Sequence, residues 1–193
     1  AVIEEILAAN PNVPEDITTL PPGLPMRIPI YYMPLTGLPF QIVPDSEVVN
    51  SPSAIGFDTQ GVIESSPGYL KDVSDYGYFR ERAAWDVIDV LALNYSVHPR
   101  LLVTLLEHQT SALSSSEPSE LDLLYPLGYE NPKYQGLYRQ LLWAVEVIND
   151  GYYGWRKGWI DTIQLTDDRL VRPDPWQNAG TVGLYSLFAE MYG

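Results

Sequence analysis

The sequence predicts a mainly α fold, a helical domain over residues 80–193 with a small α+β fragment at its N-terminal side. Three observations predict it. Apolar residues after residue 80 recur at i, i+3, i+4 and i+7, the spacing of one face of an α-helix. The chain carries 17 prolines and 14 glycines, and the prolines concentrate ahead of residue 70, which puts the irregular structure there. Of its 193 residues 46% are hydrophobic and 19% charged, a composition that buries a core.

In chain order, residues 2–9 read as a short helix with Val2, Ile3, Ile6 and Ala9 on one face, stopped by Asn10-Pro11-Asn12. Leu24-Pro25-Met26-Arg27-Ile28-Pro29 reads as a short strand. One helix and one strand bury no core, so residues 1–30 are read as part of a module. Residues 31–79 read as a Pro/Gly-rich segment that links to the helical domain or wraps it. Short strands are expected there at Phe40-Gln41-Ile42-Val43 and at Ile55-Gly56-Phe57-Asp58-Thr59.

A first long helix is expected over residues 80–93, with Ala84, Val87, Ile88 and Leu91 in one stripe. His98-Pro99 opens a second, since Pro is tolerated in the first turn, and it runs towards Ala112. A third spans residues 137–149, its apolar face made by Leu137, Leu141, Ala144, Val145 and Ile148, and Gly151 ends it. A fourth, over residues 180–192, is apolar on most sides and therefore central.

Charge and residue usage exclude several functions. The formal charge is −14, from 11 basic and 25 acidic residues. Nucleic-acid binders draw their affinity from Lys and Arg on phosphates, and anionic membranes are recognised by basic clusters, so neither partner is expected. The longest apolar runs, such as Leu101 to Leu106, are too short to span a bilayer. There is no cysteine, and the two histidines, His98 and His108, offer no spaced ligand set, so no metal site is expected. No phosphate-binding or dinucleotide glycine fingerprint is present, so no cofactor is expected. Ser114 to Ser116 lack a base for a serine triad. Asn94-Tyr95-Ser96 fits a glycosylation sequon by three residues only. The opening Ala1-Val2-Ile3, without Met, suggests a piece of a longer protein.

Two stretches resemble known families. Glu4 to Asn10, followed by Pro22-Gly23 and then Arg27-Ile28-Pro29, resembles the second half of a LysM module, a family that binds N-acetylglucosamine polymers such as peptidoglycan and chitin. The stretch Tyr95-Ser96-Val97-His98-Pro99-Arg100-Leu101-Leu102, with the apolar helix after it, resembles lysozyme-like lytic transglycosylases. Asn178-Ala179-Gly180-Thr181 is similar to the same superfamily. The resemblance implies a lysozyme-like helical domain over 80–193. In that family a Glu ten residues after the Pro is the general acid; here that position is Gln109, followed by Thr110-Ser111.

Periodicity puts Gln109 on the inward stripe with Leu102, Leu105 and Leu106, and Glu107 on nearly the opposite side. An amide has no titratable proton to give, and general acid catalysis contributes about 10²–10⁴-fold. Hydrolysis would then need Glu107, a loop carboxylate (Glu117 or Glu120), or a register that brings His108 to the site. A second candidate is the aromatic set Trp143, Tyr152, Tyr153, Trp155 and Trp159, because sugar rings stack on exposed Tyr and Trp. Gly151 and Gly154 would bracket a turn that displays those rings.

The expected function is a cell-wall-associated, extracellular domain that binds or positions peptidoglycan or a related N-acetylglucosamine glycan, its catalytic acid degenerate. The alternatives are an active glycan-cleaving enzyme using Glu107 and a non-binding spacer. The architecture of such cell-wall enzymes implies a further C-terminal peptidase domain in the parent protein.

Overall fold

The computed structural model describes residues 2–13, 20–27 and 39–193 of two units, Ala1–Pro34 and Leu35–Gly193. In the first unit, α1 (Val2–Ala9) forms where the apolar spacing predicts it. The strand expected from Leu24 has no ladder over the described residues Leu24 to Arg27, and Ile28 and Pro29 lie outside the described residues. One side chain supplies the pairing instead. Buried Asn10 accepts from the Arg27 N–H at 2.6 Å and donates to the Arg27 carbonyl at 2.5 Å, so its amide bonds Arg27 as a neighbouring strand would. A second bond, to the Ile6 carbonyl at 2.7 Å, fixes that amide to α1.

In the second unit both strands expected between residues 40 and 59 are absent. Two 3-10 turns (Asp45–Glu47, Pro52–Ala54) stand there, and α2 (Thr59–Glu64) and a further 3-10 turn (Tyr69–Asp72) follow. Asp58 explains α2: its carboxylate accepts the Gly61 N–H at 2.8 Å and so caps the helix that follows. Residues 39–50 run as a strap along the later helices. Ile42 N–H donates to buried Thr181, and Asn178 donates to the Val43 carbonyl. Asp45 accepts from the Asn178 amide and the Gly180 N–H, each at 2.7 Å. That places a carboxylate at a helix N-terminus, where the macrodipole favours it. At the other end of the strap, His98 N–H donates to the Val48 carbonyl and Asn50 N–H to the Ser96 carbonyl, both at 2.8 Å.

The first predicted long helix starts four residues late. Arg80–Ala83 is strand β2, antiparallel to β1 (Ser74–Gly77), and α3 is Ala84–Tyr95. The hairpin turns on Tyr78 and Phe79 with φ of 46° and 66°. Two-residue hairpins of this hand normally take Asn-Gly, and each bulky residue here costs about 1 kcal/mol or more. Tyr78 recovers part of that by packing edge-on against Tyr138 at 5.7 Å, whereas Phe79 is 93% exposed.

α4 (Pro99–Thr110) opens as predicted, with His98 Nδ1 accepting the Arg100 N–H. α5 (Glu120–Leu124) follows, opened by a Ser119–Asp122 capping box. α6 (Leu137–Arg156) passes straight through Gly151, which the sequence suggested would end it. The reason is tertiary. A Cβ at Gly151 would sit 3.0 Å from the Gly183 Cα, and one at Gly183 would sit 2.9 Å from the Ile148 carbonyl. The glycines let α6 and α7 (Ala179–Tyr192) cross almost backbone to backbone. Between those helices lies a small hairpin, β3 (Ile163–Gln164) with β4 (Leu170–Val171). The stripes Ala84–Val87–Ile88–Leu91, Leu102–Leu105–Leu106 and Leu141–Ala144–Val145–Ile148 meet Leu187 in the core, all 5% exposed or less. The chain is therefore mainly helical with a small β part.

Candidate functional site

Gln109 follows Leu102, Leu105 and Leu106 on one face of α4, but α4 ends one residue later and the side chain emerges half-buried at its last turn. Its Oε1 accepts from the Tyr192 hydroxyl at the end of α7, and its Nε2 lies against Gly128, which turns with φ of 75°. This amide ties three chain segments together. Glu107 is committed elsewhere. One carboxylate oxygen accepts the Leu113 N–H and the other the Ser114 hydroxyl, both at 2.7 Å, which closes the loop after α4. His108 is exposed and meets Phe188 edge-on, and Glu117 and Glu120 are exposed on the following loop and helix. The structure does not gather these groups around a common cleft. Among the described residues no cluster of His, Cys, Asp and Glu is arranged to hold a metal ion.

The aromatic candidates divide by burial. Trp143 is 3% exposed, stacked flat on Tyr129 at 4.0 Å, and its indole N–H donates to Glu190, so it belongs to the core. Tyr152 is also buried; its neighbour Arg156 donates to its hydroxyl, and burial pushes that phenol above its usual range. The turn expected around Gly151 and Gly154 is corrected by the continuous helix. What shows at the surface is the C-terminal end of α6. Tyr153 packs edge-on against Tyr152 at 5.0 Å and is 39% exposed. Trp155 is half-buried and its indole N–H donates to the Gln177 carbonyl at 2.9 Å. Gln177 in turn donates to the Phe40 carbonyl. Trp159, 74% exposed, is held by its N–H on the Gly154 carbonyl and covered by Lys157 at 4.1 Å.

Sequence reasoning missed two rings in this region, Trp176, beside Gln177 in the chain and 84% exposed, and Phe40, 70% exposed. Neither lies near α6 in sequence. The Trp155–Gln177–Phe40 chain of hydrogen bonds brings their segments to it, and no local pattern encodes that.

A known family covers the unit that carries these rings. A family described as the LasA N-terminal domain matches residues 41–193. The chain belongs to this family. LasA is a secreted staphylolytic peptidase, so the family is a domain carried by a secreted cell-wall-lytic enzyme. No curated protein and no solved structure matches the chain. The lysozyme-like and LysM readings accordingly rest on the sequence resemblance alone. No helix among the described residues is long and apolar enough to cross a membrane.

The LasA N-terminal-domain unit also carries two adjoining recesses along α7. α7 and the hairpin β3–β4 enclose an apolar groove of about 440 Å³, with Tyr185, Phe188 and Tyr192 on one side and Leu165, Val171 and Pro173 on the other. Ile163 lines it and also a second recess of about 270 Å³, mostly apolar in its lining, that carries the carboxylates of Asp150 and Glu190.

Proposed function

We propose that this LasA N-terminal-domain chain is an accessory part of a cell-wall-lytic protein that holds peptidoglycan glycan without cleaving it, acting outside the cell. The observation that carries the reading is the set of exposed rings at the end of α6, Tyr153, Trp159 and Trp176, anchored through Trp155 and Gln177. Exposed Trp and Tyr offer an apolar face for sugar C–H groups and a polar edge for hydroxyls. Cleavage would need a free carboxylic acid, whereas Gln109 has no proton to give and both Glu107 oxygens are engaged in closing a loop. The LysM-like front unit supports the same glycan preference by resemblance.

The test uses purified peptidoglycan, with sedimentation of bound protein and release of soluble muropeptides followed together. Binding without release is expected. The double substitution Trp159→Ala with Trp176→Ala should weaken binding about tenfold or more while leaving the helical signal intact. Gln109→Glu should stay inert, because the introduced carboxylate meets Tyr192 and Gly128 and not an open cleft. Release of muropeptides by the natural chain, abolished in Glu107→Gln, would replace this reading with the enzymatic one.

A further inference from the structure

Phe79 is displayed at a conformational cost and covered by nothing. Its φ of 66° is one that a bulky L residue avoids, it is 93% exposed, and it makes no ring contact among the described residues. A ring that stabilises nothing in the isolated fold becomes useful when another surface covers it. Its neighbour Arg80 is also available. The Arg80 side chain is 63% exposed and shares one oxygen of Asp86, at 2.8 Å, with Arg82, at 2.7 Å, so Asp86 keeps a partner when Arg80 leaves. The hairpin tip therefore presents an aromatic ring and a cation on consecutive residues.

The trough on α7 has the complementary pattern. Its apolar half, about 440 Å³, exceeds the roughly 150 Å³ that accommodates a benzene ring. Across Ile163 the neighbouring recess carries two carboxylates, Asp150 and Glu190. Asp150 is exposed and has no ion pair among the described residues, while Glu190 spends one oxygen on the Trp143 indole. In a chain of charge −14, copies repel one another unless a positive element meets a negative one.

We propose that the β1–β2 tip of one copy docks in the α7 trough of a second copy, with Phe79 in the apolar groove and Arg80 facing Asp150 and Glu190. The contact is head-to-tail, because knob and trough are different surfaces of the same chain. A single ring and one ion pair bury far less than the roughly 1,200 Å² of a stable interface, so the association is weak, concentration-dependent and reduced by salt.

Sedimentation velocity on the full chain over a wide concentration range tests this. The natural protein should gain mass with concentration at low salt. Phe79→Gly should weaken that association about tenfold or more without loss of thermal stability, since Gly fits the turn that Phe strains. Ala189→Trp, which fills the groove from its floor, should do the same; Leu165→Glu serves if that variant unfolds. The decisive sample mixes the two. Phe79→Gly keeps a trough and Ala189→Trp keeps a knob, so together they should form a one-to-one dimer and nothing larger. Arg80→Glu and Asp150→Lys should each weaken association, and the double variant should regain it. A natural protein that stays monomeric throughout, a Phe79→Gly variant that associates like it, or a folded mixture that forms no dimer would each overturn the proposal.

Discussion

At the scale of single residues, His98 gives the sharpest prediction. It is fully buried at the N-terminus of α4, and its Nδ1 accepts the Arg100 N–H at 3.1 Å, so the neutral ring carries its proton on Nε2. That nitrogen makes no ordinary hydrogen bond and lies 3.9 Å from the Glu47 carboxylate. Arg100, bonded to the same carboxylate, the Phe57 ring and the Ser53 backbone also face it. Burial pushes His98 below its ordinary 6.5; Glu47 and the Ser53 backbone oppose this and Arg100 adds to it. A group whose folded pKa is depressed disfavours proton uptake by the folded chain. Its contribution is therefore complete above pH 6.5 and is lost progressively as pH falls below that value. Asp89 works the other way, since burial raises its carboxyl above 3.8. The melting temperature should thus fall between about pH 7 and pH 5. His98→Asn keeps a capping acceptor and removes the titration. It should start lower at neutral pH and then lose less on acidification; a slope equal to that of the natural chain would dismiss His98 as the cause.

At the scale of elements, the α6–α7 crossing decides much of the fold. Gly151→Leu places a side chain where Ser186 and Gly183 already stand, 2.4 and 3.0 Å from a Cβ. Forcing bulk into a packed contact costs on the order of 1–3 kcal/mol, and here backbone meets backbone, so the upper end is expected. Urea unfolding measures it, and an unchanged midpoint would mean that the helices are not so close. The same glycine marks what the sequence does not reveal. Stripes such as Ala84, Val87, Ile88 and Leu91 are local and periodic, and they became core faces where expected. Gly151 reads locally as a stop, because the close approach that makes it a helix residue is supplied by Gly183, far along the chain. Residues 40–45 show no period because single bonds to Gln177, Asn178 and Thr181 hold them. The site was legible to the same extent. The Tyr and Trp of the candidate site near the end of α6 could be named from the sequence, while the segments of Trp176 and Phe40 meet them through tertiary contacts.

At the scale of the whole molecule, it matters where a self-sufficient domain begins. The sequence pattern places the helical domain at residue 80, yet the core draws on residues before it. Val48, Ile63, Tyr69 and Leu70 are all 6% exposed or less and pack in the same cluster as α3, α4 and α6. Burying one such side chain contributes about 1.5–3 kcal/mol, whereas a domain as a whole is stable by only about 5–15 kcal/mol. Four such losses consume most of that margin. Removing the strap also uncovers Val97, His98 and Thr181, which it bonds or covers. A chain cut to residues 80–193 should therefore keep helical circular dichroism but lose a cooperative thermal transition, whereas one of residues 39–193 should unfold cooperatively. Equal, sharp transitions for the two pieces would show that the strap decorates the helical domain and does not complete it.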